Sequence, residues 1–142
     1  MTEIHIRLQW VCIVIALFAC NKDTTTRNRN TARTDFFKND QDAFRKVQQY
    51  LKAYGKGGIL QKVQNVSYID SKDQSYAFVF YVTDQGESNL VIRQDYVNEE
   101  LVGGTSIKCD GPDCACKVST MVKSDGTVLM DCSCTSCTML IN

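Results

Sequence analysis

The chain has 142 residues, with 16 basic and 16 acidic side chains and a formal net charge of +0. That balance argues against nucleic acid as the main partner, since such binding rests on a strongly basic surface. With eight cysteines but one histidine and one tryptophan, sulfur is the chemistry to be explained.

The first segment reads MTEIHIRLQWVCIVIALFACNKD. Arg7 is the firm positive charge of the short polar start, and an apolar run broken only by Gln9 extends from Leu8 to Ala19. A helix of that length reaches about 18 Å, short of the hydrocarbon core of about 30 Å. The run fits the apolar region of a signal peptide over residues 1–19, with small Ala19 at the cleavage position. The residues Leu17-Phe18-Ala19-Cys20 resemble the lipobox of bacterial lipoproteins. The following Asn21-Lys22-Asp23 is similar to short Lys/Asp signals that send some Gram-negative lipoproteins to the cell surface. The resemblance implies cleavage before Cys20, acylation of Cys20, and a protein held in the cell envelope, at the outer membrane or cell surface. Such a chain is anchored to a membrane without spanning it. Each buried methylene contributes about 0.8 kcal/mol, and stable anchoring takes more than one acyl chain.

Loss of this leader removes His5, Trp10 and Cys12. Histidine is the usual general base near neutral pH and the commonest metal ligand. Its absence excludes serine- and cysteine-hydrolase triads and mixed Cys/His zinc sites. The expectation is a protein that is not an enzyme.

Residues 20–34 follow as a lipidated tether. Asn21 to Thr34 reads NKDTTTRNRNTART, with Ala32 its one apolar side chain, and cannot bury enough surface to fold. Arg27, Arg29 and Arg33 are placed to touch anionic head groups, though the simpler reading is a soluble spacer.

Residues 35–142 read as one α+β domain. A helix is expected between Asp35 and Tyr54, N-capped by Asn39, with Asp40 and Asp42 at the positive end of its dipole. Phe44, Val47, Leu51 and Tyr54 recur at helical spacing, and Gly55, Gly57 and Gly58 end the element. The period then changes to two. Strands are expected at 59–69, 75–83 and 90–96, with turns at 71–74 and 84–87. The second is apolar on both faces and reads as central. Gly103-Gly104 reads as a break before the cysteine region. One helix packed on a curved antiparallel β-meander has an order similar to cystatin-like folds, an analogy that brings no function with it.

A cysteine-rich hairpin within residues 109–142 is expected to end the domain. Its six cysteines are Cys109, Cys114, Cys116, Cys132, Cys134 and Cys137, an even number in an exported chain, which reads as disulfides. Strand parity puts Cys114, Cys116 and Val118 on one face, and Val128, Met130, Cys132 and Cys134 on one face of the returning strand. A Ser124-Asp125-Gly126 loop with Gly126 left-handed places Cys116 opposite Cys134 and Val118 opposite Cys132. A loop shifted by one residue to Lys123-Ser124-Asp125 sets Cys114 opposite Cys134 and Cys116 opposite Cys132. Cys116–Cys134 is the single pairing that the first register favours.

Two alternatives compete with staples. Zinc could take the thiolates of Cys114, Cys116, Cys132 and Cys134, although C-x-C is tighter than the usual ligand spacing. Thiol–disulfide exchange could use the literal C-x-x-C of Cys134 and Cys137, which lacks the helix N-terminus that such motifs use. Asp110-Gly111-Pro112-Asp113 reads as a turn and lacks the spaced oxygens of a calcium loop. Asp70, Asp73 and Asp84 read as solvated turn acids. Tyr50, Tyr54, Tyr68, Tyr76, Tyr81 and Tyr96 stand mostly at core spacings. The function expected is therefore a structural or binding role in the envelope, toward a protein or other envelope partner that the sequence does not name.

Overall fold

The computed structural model describes residues 36–55, 58–71, 73–112 and 115–142. The signal peptide, the lipobox with Cys20, the tether, Asp113 and Cys114 lie outside the described residues.

Helix α1 spans Asp40–Ala53. Its N-cap is Asn39, whose Oδ1 accepts a hydrogen bond from the Asp42 N–H at 2.9 Å, satisfying one of the free amides of the first turn. At the other end the Gly55 N–H donates to the Lys52 carbonyl at 3.1 Å, with Gly55 at φ 72, the left-handed closure that glycine makes cheaply. Ala43, Val47 and Leu51 are the buried apolar residues of the helix, and Phe44 and Tyr50 pack partly against the same core. The buried stripe is thus centred one residue before the expected Phe44.

Among the described residues seven strands follow: β1 (Leu60–Asp70), β2 (Gln74–Thr83), β3 (Gly86–Val97), β4 (Glu100–Asp110), β5 (Val118–Val122), β6 (Val128–Cys132) and β7 (Thr138–Ile141). An antiparallel sheet runs in the order β1-β2-β3-β4-β7, and β5 and β6 form a separate antiparallel pair. The chain is therefore α+β, one helix packed against an antiparallel sheet.

Parity in β2 explains the layering. Ala77, Val79 and Tyr81 join Leu90 and Ile92 of β3 in the core shared with Val47 and Leu51 of α1. Tyr76 and Phe78 point the other way and join Val91, Ile107, Cys109, Cys116 and Val118 in a second core. That second core is closed by the β5–β6 pair through Val128, Met130 and Cys132. Both faces of β2 are apolar because one meets the helix and the other meets the pair.

Two expectations need correction. Gly103-Gly104 does not break the chain: both lie within β4, opposite Asp95 and Gln94. The direction changes earlier, at Asn98 and Glu99 (φ 51 and 67), between the partners Val97 and Glu100. This is a two-residue turn of the left-handed kind, made without glycine. Nor does the β5–β6 pair end the domain. Thr138 to Ile141 return as β7 beside β4, and Ser106 and Asn142 exchange backbone hydrogen bonds of 2.8 and 2.9 Å.

Among the described residues no helix is long and apolar enough to cross a membrane.

Candidate functional site: a stapled strand pair on the sheet

The face of the sheet away from the helix is where the cysteines gather. Cys109 sits in β4, 1% exposed, in parity with Ile107. It is bonded to Cys132 at the end of β6, with the Cα atoms 5.7 Å apart. Cys116, just before β5, is bonded to Cys137, just before β7, with the Cα atoms 5.8 Å apart. Each bridge therefore ties the strand pair to a different part of the chain. The favoured Cys116–Cys134 pairing is not formed, because the Cys116 sulfur is bonded to Cys137 in the β6–β7 connection. Cys134 is also disulfide-bonded.

Non-covalent contacts fix the pair at both ends. The buried Asn89 side chain presents an amide to the backbone of Val118. Its Nδ2–H donates to the Val118 carbonyl at 2.9 Å, and the Val118 N–H donates to its Oδ1 at 2.8 Å. These are the two bonds that a neighbouring strand would make, supplied by one side chain. At the far end the Ser71 hydroxyl donates to the Gly126 carbonyl at 3.2 Å. The β5–β6 loop has Gly126 at φ 85, and the Lys123 N–H donates to the Thr127 carbonyl at 2.9 Å. Asn89 was not among the candidate residues from sequence. Its signal was a lone amide in the apolar run Leu90-Val91-Ile92 that follows it.

Gly111 lies under the second bridge. A Cβ built there would meet the Ser136 carbonyl at 2.8 Å and the Cys116 sulfur at 2.9 Å. The expected turn after Asp110 thus has a packing reason for its glycine.

The other candidate chemistries distribute differently. Cys116 and Cys132 are bonded to sulfur rather than offered as thiolates, and Cys114 lies outside the described residues. Among the described residues no three His, Cys, Asp or Glu side chains are placed to hold a metal ion. The C-x-x-C residues are joined through a backbone turn, the Cys137 N–H donating to the Cys134 carbonyl at 3.1 Å, while Cys137 spends its sulfur on Cys116. The turn acids Asp70, Asp73 and Asp84 are exposed, as expected, and two of them also brace their turns: Asp70 accepts from the Ser75 hydroxyl at 2.8 Å and Asp84 from the Ile59 N–H at 2.7 Å.

Tyr76, Tyr81 and Tyr96 are buried, and Tyr50 and Tyr68 pack against the helix-side core. The Tyr54 hydroxyl shares a 2.8 Å hydrogen bond with that of Ser106. Burial pushes the pKa of the Tyr81 hydroxyl above its ordinary value; the Ser88 hydroxyl beside it pulls the other way, and Tyr54 and Asp110 add to the rise.

No family model matches the chain, and no curated protein or solved structure is significantly similar to it.

Proposed function

We propose that this is a lipid-anchored protein of the cell envelope or surface, with a structural or binding role and no catalytic one. The observation that carries the reading is the pair of bridges Cys109–Cys132 and Cys116–Cys137. Disulfides that hold a fold together belong to oxidising, non-cytoplasmic compartments. The lipobox at Leu17-Phe18-Ala19-Cys20 supplies the anchor, and the polar segment behind it the reach from the membrane. Helix followed by meander is the order of cystatin-like folds, and element order carries no activity. The remaining cysteine of the C-terminal six, Cys114, is the partner proposed for Cys134. Every bridge would then enclose one end of each of the others.

Fatty-acid labelling in a Gram-negative host, followed by non-reducing peptide mapping, tests the reading. Lipid on Cys20, lost in Cys20→Ser, together with no free thiol in the domain, is expected. Unprocessed protein carrying Met1 with its thiols reduced would overturn it. Four free thiols with stoichiometric zinc would replace it with the metal reading at Cys114, Cys116, Cys132 and Cys134.

A further inference from the structure

The outer edge of β4 is only half covered. Its second half is closed by β7, which pairs with Ile107 to Asp110. Its first half, Glu100 to Thr105, has β3 on one side and, among the described residues, no strand on the other. That half carries apolar side chains in the open: Leu101 is 56% and Val102 60% exposed, and Val97 beside them on β3 is 57% exposed. A bare strand edge with apolar side chains is a template for a further strand.

Alternation along the strand shows which backbone groups this edge offers. Ser106 and Asn142 exchange backbone hydrogen bonds, so the Ser106 groups face β7, and those of Gly104, two residues back, point the same way. Val97 and Glu100 are partners across a two-residue turn, so the Glu100 groups face β3 and those of Leu101 point outward. Between these two outward positions the register slips: Asp95 pairs with Gly103 and Tyr96 with Leu101, which leaves Val102 as a bulge. A bulge at an edge turns ordinary strands away. A strand that carries the same bulge is the exception.

We infer that this edge pairs with the same edge of a second copy of the chain, antiparallel about a two-fold axis between Val102 and Gly103. In that register Leu101 of each copy stands opposite Gly104 of the other, so the outward backbone groups meet as hydrogen-bonded pairs. The two bulges face each other at the axis and compensate. Side-chain faces agree as well, since Leu101 shares the face of Tyr96 and Gly104 that of Gln94, two residues apart on β3. Around the place of a Cβ on Gly104 the nearest atom is the Arg93 carbonyl oxygen at 3.5 Å, which leaves room for the leucine of the other copy. Glu100 comes opposite Thr105, over which the Arg93 guanidinium leans, 3.5 Å from the hydroxyl. Arg93 also meets Asp95 at 3.2 Å, and Glu100 of the other copy approaches it from the open side. The two copies of Glu100 stand at opposite ends of the shared segment, and Glu99 lies in the turn beyond it. So short a segment makes a weak, concentration-dependent dimer.

Sedimentation velocity of the full-length oxidised protein over a wide concentration range tests the pairing, with hydrogen exchange read on the same samples. A reversible monomer–dimer equilibrium is expected, and the Leu101 and Gly104 amides should gain protection as the dimer forms. Leu101→Asp alters an exposed side chain and should leave the thermal midpoint of dilute protein unchanged. It is expected to weaken the dimer at least about tenfold, as loss of a central apolar contact does. Glu100→Lys, which sets a cation beside Arg93 of the other copy, is expected to weaken it severalfold. Three results overturn the inference: a dimer that leaves those two amides unprotected, a folded Leu101→Asp protein that dimerises as wild type does, or a protein that stays monomeric at every concentration, which would leave the edge to a foreign strand.

Discussion

Gly111 shows how one missing carbon decides a covalent geometry. Its backbone passes so close to the Cys116–Cys137 bridge that a Cβ would lie within 3 Å of both a sulfur and a carbonyl oxygen. Neither neighbour is the free end of a flexible side chain. Gly111→Ala is expected to cost about 1–3 kcal/mol, the usual penalty of overpacking, read as a lower urea midpoint under oxidising conditions. Gly103→Ala is the matched control. Nothing lies within 4 Å of a Cβ there, and its midpoint should move by about 0.5 kcal/mol or less.

Asp42 is the other residue with a measurable signature. The Arg45 guanidinium at 2.6 Å, then the Lys38 N–H and Lys46, hold its carboxyl down to about 2, from an ordinary 3.8. A depressed carboxylate stabilises the fold fully above the unfolded value and loses that contribution as pH falls through the folded one. The stability gap between wild type and Asp42→Asn should therefore be open at neutral pH and close between about pH 4 and pH 2. Chemical denaturation at several pH values reads it directly. A gap that stays constant across that window would place the effect in packing rather than charge.

Among the elements, those announced by local signals were legible and those made by distant pairing were not. Asn39 caps α1 because its short side chain reaches back to the Asp42 amide, a contact three residues long. β1 and β2 follow from alternation, and the two apolar faces of β2 gave away its central place. The Asn98-Glu99 turn was hidden because its residues lack the glycine that usually marks left-handed backbone. The glycine pair a few residues later drew the break to the wrong place. β7 carries only four residues, and its assignment rests on β4, about thirty residues upstream.

The disulfide pattern failed for the same reason. Parity puts Cys116 and Cys134 on adjacent strands, but it says nothing of how the chain turns before β7. The Asn89 clamp is also non-local, joining β3 to β5. Asn89→Ala would leave the Val118 N–H and carbonyl buried without partners, at about 1–3 kcal/mol for each group. Hydrogen exchange should show early loss of protection in β5, with α1 unchanged. Equal loss in both would mean that the strand pair and the helix layer open together.

At the scale of the whole molecule, the sheet carries two cores of unequal independence. The helix-side core joins α1 to long strands and contains no cysteine. The other core is roofed by strands of five residues each, and an isolated hairpin of that size is marginal in water. Its bridges close sequence separations of 23 and 21 residues, which chain entropy values at about 3 kcal/mol each. Cys116 lies inside the loop closed by Cys109–Cys132, and Cys132 lies inside the loop closed by Cys116–Cys137. The second bridge therefore closes a loop that the first has already shortened, and the two contributions do not add. Reduction should accordingly unroof one face before the protein unfolds. Under mild reductant, amide protection in β5 and β6 is expected to fall first, and the face bearing Tyr76 and Phe78 to become accessible to a hydrophobic dye. Protection in α1 and in the β2–β3 ladder should persist to higher denaturant. A single transition, with α1 and β5 losing protection at the same denaturant concentration in the reduced protein, would show instead that the two cores form one cooperative unit and that the bridges stabilise all of it.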